Sequence, residues 1–318
     1  MTLLYKYRSP INFVDTPHCN TARIFSGSAL YYAKPSTFND PFDGRISFDF
    51  DADKDEAYDL HFRVIRRRAR ERAKTDPYAT VPSVQQTWSQ ATKNVDSVMD
   101  MIVHERFDYA RYYRDVMDHF GALALSAEKH NLLLWAHYAS EHRGLCLGFD
   151  WGATGLPPAS EMQYSTSYRK VDFWAHSEAE LGTIALFQKS SEWAYEREFR
   201  SVNPARYEWY QKFTRDARSR EAMMEARADY PGEAGRELRK RVMRDHTYSY
   251  KKVKTEGFGA LKFEKDALRE VIFGERMKPD DVIQHIDFIR AGGFNPVFRR
   301  AVRNSERFQI DFVDIGGQ

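Results

Sequence analysis

Two glutamates and an arginine alternate along one short stretch of the chain, and their spacing could build an active site. Over residues 193–200 the side chains alternate with period two, just before the turn at Asn203-Pro204, which predicts a strand. On a strand, Glu196, Glu198 and Arg200 project from one face. Two carboxylates so close raise each other's pKa, and Arg200 can hold one of them ionised. The row could do acid–base or cation-stabilising chemistry, or it could be a solvated sheet face with cross-strand ion pairs.

A turn rich in polar and aromatic residues follows the first predicted strands. Asn39 and Asp40 precede Pro41, and their side chains can bond nearby backbone N–H groups, while Phe38 and Phe42 provide apolar anchors. This composition is typical of a structural turn. The same density of amide, carboxylate and aromatic groups would also suit a loop on the rim of a pocket.

A short amphipathic helix is predicted over residues 131–139. Trp135, Tyr138 and His142 recur at helical spacing and share one face if the helix continues to Gly144. Core packing is the expected role of Trp135, with Gly144 ending the helix. His142 lies between two charged residues and has less reason to be buried, so it is the better candidate for a functional residue.

The remaining pattern predicts one α+β domain over residues 1–318, with a mixed or antiparallel sheet split by helical insertions. The β-rich segments are expected at about 1–50, 120–203 and 256–314, and the insertions at about 54–118 and 206–247. The predicted strands are 3–7, 23–25, 29–33, 122–126, 144–149, 258–263, 268–273, 296–300 and 308–313. The predicted helices include 84–103, 107–118, about 177–190, 279–291 and a charged pair over 207–246.

Two basic stretches could contact nucleic acid. Residues 61–74 carry seven Lys and Arg side chains, and residues 236–254 mix cations with two tyrosines. Such mixtures suit single-stranded nucleic acid, through phosphate contact and base stacking. The alternative is a pair of solvated helix faces. The candidate contacts are Arg66, Arg67, Arg68, Arg241, Lys251 and Lys252.

Composition narrows the class of protein. The formal net charge of +2 does not by itself predict a polyanionic partner. Cys19 and Cys146 are too few for a disulfide scaffold, and no Cys/His spacing resembles a zinc site. The first residues are charged too early for a signal peptide, and no apolar run approaches the roughly 18 residues of a membrane span. We expect a cytoplasmic protein with no metal and no membrane partner.

Five segments in order resemble the uncharacterised prokaryotic family named domain of unknown function 2971. The similarity extends from about residue 3 to residue 312, and the family name carries no activity of its own. The segments are Leu4-Tyr-Lys-Tyr-Arg8, Phe38-Asn-Asp-Pro-Phe-Asp43, Trp135-Ala-His-Tyr-Ala139 with His142 and Gly144, Trp193-x-x-Glu-x-Glu-x-Arg200, and Leu268-Arg-Glu-Val-Ile-Phe-Gly274.

A more distant resemblance is to the ADP-ribosyltransferase superfamily. It rests on a residue of an N-terminal strand, an aromatic or hydroxyl residue of the second strand and the later Glu-x-Glu. That superfamily includes bacterial toxins and phage-defence enzymes that act on proteins or nucleic acids. Cleaving the nicotinamide–ribose bond of NAD builds oxocarbenium character on the ribose, which a preorganised carboxylate stabilises. The resemblance therefore implies an ADP-ribosyltransferase-like fold with NAD as substrate.

The resemblance also implies roles for individual residues. Glu198 would face the oxocarbenium and Glu196 would orient the acceptor group, with Arg200 beside them. Tyr32 would stack on the nicotinamide. The residues implied to bind the dinucleotide are Lys6, Tyr7, Arg8, Tyr32, Asn39, Asp40, Tyr138 and His142.

We therefore expect an NAD-dependent ADP-ribosyltransferase-like enzyme, a toxin or anti-phage defence effector that modifies a protein or nucleic acid. The alternative is a non-catalytic nucleic-acid-binding or protein-binding sensor, in which Arg200 locks the carboxylates into a structural pocket. A single site requires Tyr7, Asn39, His142 and Glu198 to line one cleft.

Overall fold

An eight-stranded sheet forms the centre of the protein in a computed structural model that describes residues 3–75, 79–204, 206–211 and 250–315. Every neighbouring pair of strands in this sheet is antiparallel except Leu268–Phe273 (β14) and Val297–Arg303 (β15), which are parallel. This arrangement confirms the predicted α+β class and the mixed sheet. From one edge to the other, the strands are Ile310–Asp314 (β16), Val297–Arg303 (β15), Leu268–Phe273 (β14), Leu145–Phe149 (β5), Leu4–Arg8 (β1), Gly121–Ser126 (β4), Glu198–Asn203 (β10) and Ala159–Glu161 (β6).

Shorter strands form two-stranded sheets around this centre. Within the described ranges these pairs are Ala29–Tyr32 (β2) with Gly259–Lys262 (β13), Ser47–Asp49 (β3) with Lys170–Asp172 (β8), Gln163–Ser165 (β7) with Gln188–Ser190 (β9), and Arg206–Gln211 (β11) with Tyr250–Thr255 (β12).

The helices begin at local signals that the sequence carries. Within the described residues the α-helices are Asn20–Gly27 (α1), Lys54–Thr75 (α2), Val84–Val103 (α3), Tyr109–Met117 (α4), Leu132–Tyr138 (α5), Glu178–Leu186 (α6) and Pro279–Ala291 (α7). Ser83 and Gln86 form a reciprocal capping box at the start of α3, and Ser177 and Glu180 form another at the start of α6. Pro279 opens α7, because its fixed φ suits the first helical position.

Apolar side chains on both faces of the sheet hold these elements together. On one face, alternate residues of β5 such as Leu147 pack with Ile24 of α1 and Ile289 of α7. On the other face, Cys146 of the same strand packs with Trp135 of α5. Full burial of a side chain such as Leu147 stabilises the fold by about 1.5–3 kcal/mol. Alternate side chains of β5 therefore pack into two separate hydrophobic cores, one on each face of the sheet.

Two predicted strands are wrong in whole or in part. Residues 23–25 lie in α1, because Ile24 and Phe25 bury one face of a helix against the sheet. Residues 191–196 form a short 3-10 helix, and β10 begins only at Glu198. Between them, Arg197 adopts a left-handed backbone with φ 43°, so the predicted strand over 193–200 is broken in its middle.

Two predicted helical segments also need correction. The helix predicted over 177–190 ends at Leu186 and is followed by β9. The predicted pair over 207–246 is wrong at its start, where Arg206–Gln211 forms β11, and residues 212–246 lie outside the described ranges. The short helix predicted over 131–139 is confirmed as α5, and it does not continue to Gly144, because residues 140–142 all have positive φ.

Candidate functional site

A split in the central sheet creates the main cleft. Strand β1 pairs with β5 over five residues but with β4 only at Tyr5 and Ser126. Beyond that point, the Nζ of Lys6 reaches across and donates to the Ala124 carbonyl at 2.7 Å. A cleft of about 500 Å³ is lined by residues of both strands and by β10, a size typical of small-molecule sites.

A buried charge network centred on Lys189 lines this cleft. The Nζ of Lys189 donates to Glu196 Oε2 at 2.6 Å and to Glu198 Oε2 at 2.9 Å. All three side chains are buried, and Glu198 is only 2% exposed. Burial disfavours the charged lysine, but the charges of Glu198 and Glu196 outweigh it and raise the pKa of Lys189 above its ordinary value.

Arg200 completes the network from the other side. Its Nε donates to Glu198 Oε1 at 2.8 Å, and its two terminal nitrogens each donate to a different oxygen of Asp43 at 2.8 Å. The guanidinium also lies 5.1 Å from the ring centre of Phe38. Burial by itself raises the pKa of Glu198, but Arg200 and Lys189 overcome it and hold that pKa below its usual value. Glu198 is therefore an ionised carboxylate deep in the protein.

Local structure explains how the two glutamates come to share one lysine. Glu198 and Arg200 lie on the same face of β10, as their spacing predicts, whereas Glu196 belongs to the preceding 3-10 helix. The left-handed residue Arg197 joins these two elements. The Ser126 hydroxyl donates to the Glu196 carbonyl at 2.7 Å and fixes this junction against β4.

Two basic side chains of β1, Lys6 and Arg8, line the same cleft without carboxylate partners. Among the described residues the Arg8 side chain has no hydrogen-bond or ion-pair partner, and its Nε is buried. Burial lowers the pKa of Arg8 but leaves the guanidinium charged at neutral pH. Burial, with added repulsion from Arg8 and opposition from Glu198, lowers the pKa of the half-buried Lys6 to about 7. The end of β1 thus offers an uncompensated positive charge to a ligand.

Further predicted residues also line this cleft. The Tyr138 hydroxyl donates to Glu196 Oε1 at 2.7 Å, and burial raises the pKa of Tyr138. Tyr7 donates its hydroxyl to the Glu128 carbonyl at 2.7 Å, and Asn39 also lines the cleft. Of the four residues expected to share one cleft, Tyr7, Asn39 and Glu198 do so.

Three predicted ligand-binding residues lie away from the cleft. Tyr32 is completely buried and shares a hydrogen bond of 2.8 Å with Ser201, so the expectation that it stacks on a nicotinamide is wrong. Asp40 is buried and accepts from the Phe42 amide at 2.8 Å, which makes it a turn residue. His142 stacks on Trp135 and opens onto a different pocket, because the chain turns back after α5.

The basic stretches are only partly described. Arg66 donates to the Pro82 carbonyl at 3.0 Å, and Arg67 forms a forked ion pair with Glu180 at 2.7 and 2.8 Å. Arg68 is exposed, Lys251 and Lys252 belong to β12, and Arg241 lies outside the described residues. Nucleic-acid contact at these positions stays a prediction.

Several residues of the cleft were not predicted as site residues, and three of them, Lys189, Asp43 and Tyr31, matter for its chemistry. Nothing in the sequence marks Lys189 as a site residue. It is a single lysine in a short polar strand, and its two carboxylate partners follow it in other elements. Asp43 stands at the end of the Phe38–Asp43 motif, 157 positions from its partner Arg200. Tyr31 is 56% exposed and lines the cleft, since alternation along β2 turns it away from Tyr32. The alternation of side chains along β2 could have shown that Tyr31 and Tyr32 lie on opposite faces of the strand.

The part of the chain that the structure describes contains neither a metal-binding cluster nor a membrane-spanning helix. It holds no cluster of three or more His, Cys, Asp or Glu side chains placed to bind a metal ion. Nor does any helix there combine the length and the apolar character needed to cross a membrane. No protein-family model, curated protein or solved structure matches this chain.

Proposed function

We propose that this protein is an ADP-ribosyltransferase-type enzyme that consumes NAD in the cleft between β1 and β4. The observation that carries the proposal is the joint presence of an ionised, buried Glu198 and an unpartnered Arg8 in one cleft. Arg8 would pair with the pyrophosphate, for which a guanidinium is well suited. The rings of Tyr7 and Tyr31 provide aromatic surface near it.

The proposed chemistry needs a negative charge where the ribose becomes positive. As the C1′–N bond breaks, its electron pair goes to the nicotinamide nitrogen, and the ribose takes on oxocarbenium character. Each oxygen of Glu198 has a second lone pair beyond its bond to Lys189 or Arg200. These lone pairs can accept from a ribose hydroxyl, and the carboxylate charge can stabilise the developing cation.

The neighbouring cations fix Glu198 without cancelling the charge of the network. The carboxylates of Asp43, Glu196 and Glu198 face the cations Lys189 and Arg200, so three formal negative charges meet two positive ones. The network by itself therefore has one net formal negative charge, which lies beside Glu198, while the charge of Arg8 remains for the pyrophosphate. A preorganised arrangement of this kind needs little reorganisation during the reaction.

An adjacent groove could admit the acceptor. Asn39 and Lys189 line both the cleft and a groove of about 630 Å³, whose other walls include the exposed rings of Phe42 and Tyr168. The groove reaches the network at Lys189, which donates to Glu196, the residue implied to orient the acceptor. Transfer to a protein or nucleic acid of the cytoplasm would suit a toxin or anti-phage effector.

Glu198→Gln tests the proposal, because it keeps the shape of the side chain and removes its charge. With labelled NAD and cell extract, we expect NAD consumption to fall by roughly 100-fold or more. Glu161→Gln, an exposed change on the neighbouring strand β6, serves as the matched control and should keep full activity. A stable Glu198→Gln protein with unchanged NAD consumption overturns the assignment.

A second candidate is a nucleotide-binding sensor that does not turn its ligand over. The hydrogen bonds of the two glutamates favour this candidate. Both oxygens of Glu198 already accept from Lys189 or Arg200, and Glu196 accepts from both Lys189 and Tyr138. This protein would bind NAD or another nucleotide in calorimetry and release no nicotinamide. Arg8→Gln would weaken that binding, as it would in the enzyme, so nicotinamide release discriminates between the two.

A further inference from the structure

We propose that Lys6 accepts the proton that the acceptor group loses when ADP-ribose is transferred to it. This inference rests on the proposed function and names a further catalytic residue of the same site. It starts from position: Lys6 lies at the split between β1 and β4 and lines the cleft together with Glu198. Its Nζ makes a single hydrogen bond, to the Ala124 carbonyl, among the described residues.

The two lysines of the cleft have opposite surroundings. Lys189 is held by two carboxylates at 2.6 and 2.9 Å. Lys6 has no carboxylate within ion-pairing distance in the described part of the chain, and a neutral backbone oxygen is its partner. A half-buried ammonium group without a counter-ion is destabilised further by the guanidinium of Arg8, two residues along the same face of β1, whereas a neutral amine can still donate one N–H to that oxygen. The geometry therefore favours a neutral amine whose lone pair is free.

Charged groups of both signs face Lys6 from β1, from β10 and from the segment before β10. Arg8 on its own strand and Arg200 on β10 repel its positive charge, while Glu198 and Glu196 attract it. Lys189 and Asp43 also line the cleft, but each already has partners of opposite charge within the network. Burial lowers the pKa of Lys6 more than any of these charges does. The resulting pKa of about 7 lies where proton transfer at neutral pH is most efficient.

The transfer step has to dispose of one proton. The acceptor X–H attacks C1′ of the ribose, a C1′–X bond forms as the C1′–N bond breaks, and nicotinamide leaves as a neutral molecule. The proton of X–H then needs a base. Glu198 is a weak base because Arg200 and Lys189 hold its pKa low. The lone pair of Lys6 can take the proton, and the ammonium returns it to water after the product leaves.

Competitive labelling tests the protonation of Lys6 without NAD. Trace acetylation of the whole protein between pH 5 and 11, read by mass spectrometry, reports the reactive free amine at each lysine. We expect the labelling of Lys6 to reach half of its plateau near pH 7, while Lys189 stays unlabelled at that pH. Arg8→Gln should move the midpoint for Lys6 upward, because it removes a repelling charge. A midpoint near the ordinary lysine pKa of about 10.4 overturns the inference.

Kinetics of Lys6→Arg test the catalytic role, because arginine keeps the N–H donor but stays protonated and cannot accept a proton. We expect transfer to the acceptor to fall by roughly 100-fold, more than nicotinamide release does, and the limb near pH 7 in kcat/KM to disappear. Lys262→Arg, an exposed change on β13, is the control with full activity. If wild-type protein transfers ADP-ribose and Lys6→Arg does so equally well, the inference alone fails. If wild-type protein consumes no NAD at all, the proposed function fails, and the role of Lys6 in it fails as well.

Discussion

Replacing Lys189 by methionine removes the one cation that Glu196 and Glu198 share. Methionine keeps most of the apolar stem, which lies near the ring of Trp193 with the ammonium 5.0 Å from the ring centre. The change therefore removes charge with little loss of volume. Two carboxylates then lie close together in a buried site, where only Glu198 retains a cationic partner, Arg200.

The cost follows from burial and pairing. Lys189 is 8% exposed and forms two ion pairs, and removal of one partner from a buried pair destabilises a protein by about 3–5 kcal/mol. In a chain of this length that loss lowers Tm by about 5–10 °C. Lys170 offers a matched control, since it also pairs with two carboxylates but is exposed. Solvent screens those pairs, so Lys170→Met should be close to neutral.

The stability that Lys189→Met loses should increase as the pH rises. In the wild-type protein the lowered pKa of Glu198 adds stability above the unfolded value of about 4.3, and this is lost as pH falls. In Lys189→Met the two carboxylates repel each other, so the folded state binds more protons than the unfolded state between pH 4.3 and the raised pKa. Stability of the variant therefore falls as pH rises, and the deficit is larger at pH 8 than at pH 5.5, by up to about 1.4 kcal/mol per pH unit.

Urea unfolding at both pH values measures this effect. Glu196→Gln in the Lys189→Met background should restore part of the stability at pH 8, because it removes the repulsion, and the two changes should be non-additive by about 0.5–3 kcal/mol. An equal deficit at both pH values would refute the charge argument. So would a loss no larger than that of Lys170→Met, since burial would then make no difference.

Three other variants test separate parts of the site. Arg200→Lys loses the forked bond to Asp43 and should cost about 2–4 kcal/mol in urea unfolding; a neutral result would show that the fork adds no stability. Tyr32→Phe should destabilise the protein by about 1 kcal/mol, because it removes the hydrogen bond to Ser201, and should leave NAD consumption unchanged. A loss of activity without a loss of stability would mean that Tyr32 acts in the site. Arg8→Gln should weaken NAD binding in calorimetry by about tenfold or more without lowering Tm, whereas a large drop in Tm would mean that Arg8 supports the fold.

Local patterns in the sequence were enough to predict many elements and part of the site. Helix α7 agrees with its prediction at both ends, because a proline at the first turn and glycines after the last residue are strong local signals. Strand β5 was predicted from a short apolar run. The spacing of Glu198 and Arg200 correctly placed both on one face of a strand, since that depends only on the period of an extended chain.

Tertiary structure alone decided which charges meet. Arg200 and Asp43 are separated by 157 positions, and Lys189 comes from a strand that the sequence predicted as a helix. Periodicity reports which face a side chain takes, but it does not report what lies opposite. The exchange of roles between Tyr31 and Tyr32 has the same origin, because the pairing of β2 with β13 sets which of its two faces meets the cleft. The split between β1 and β4 is likewise a property of the whole sheet, since it depends on how several strands twist and pair together.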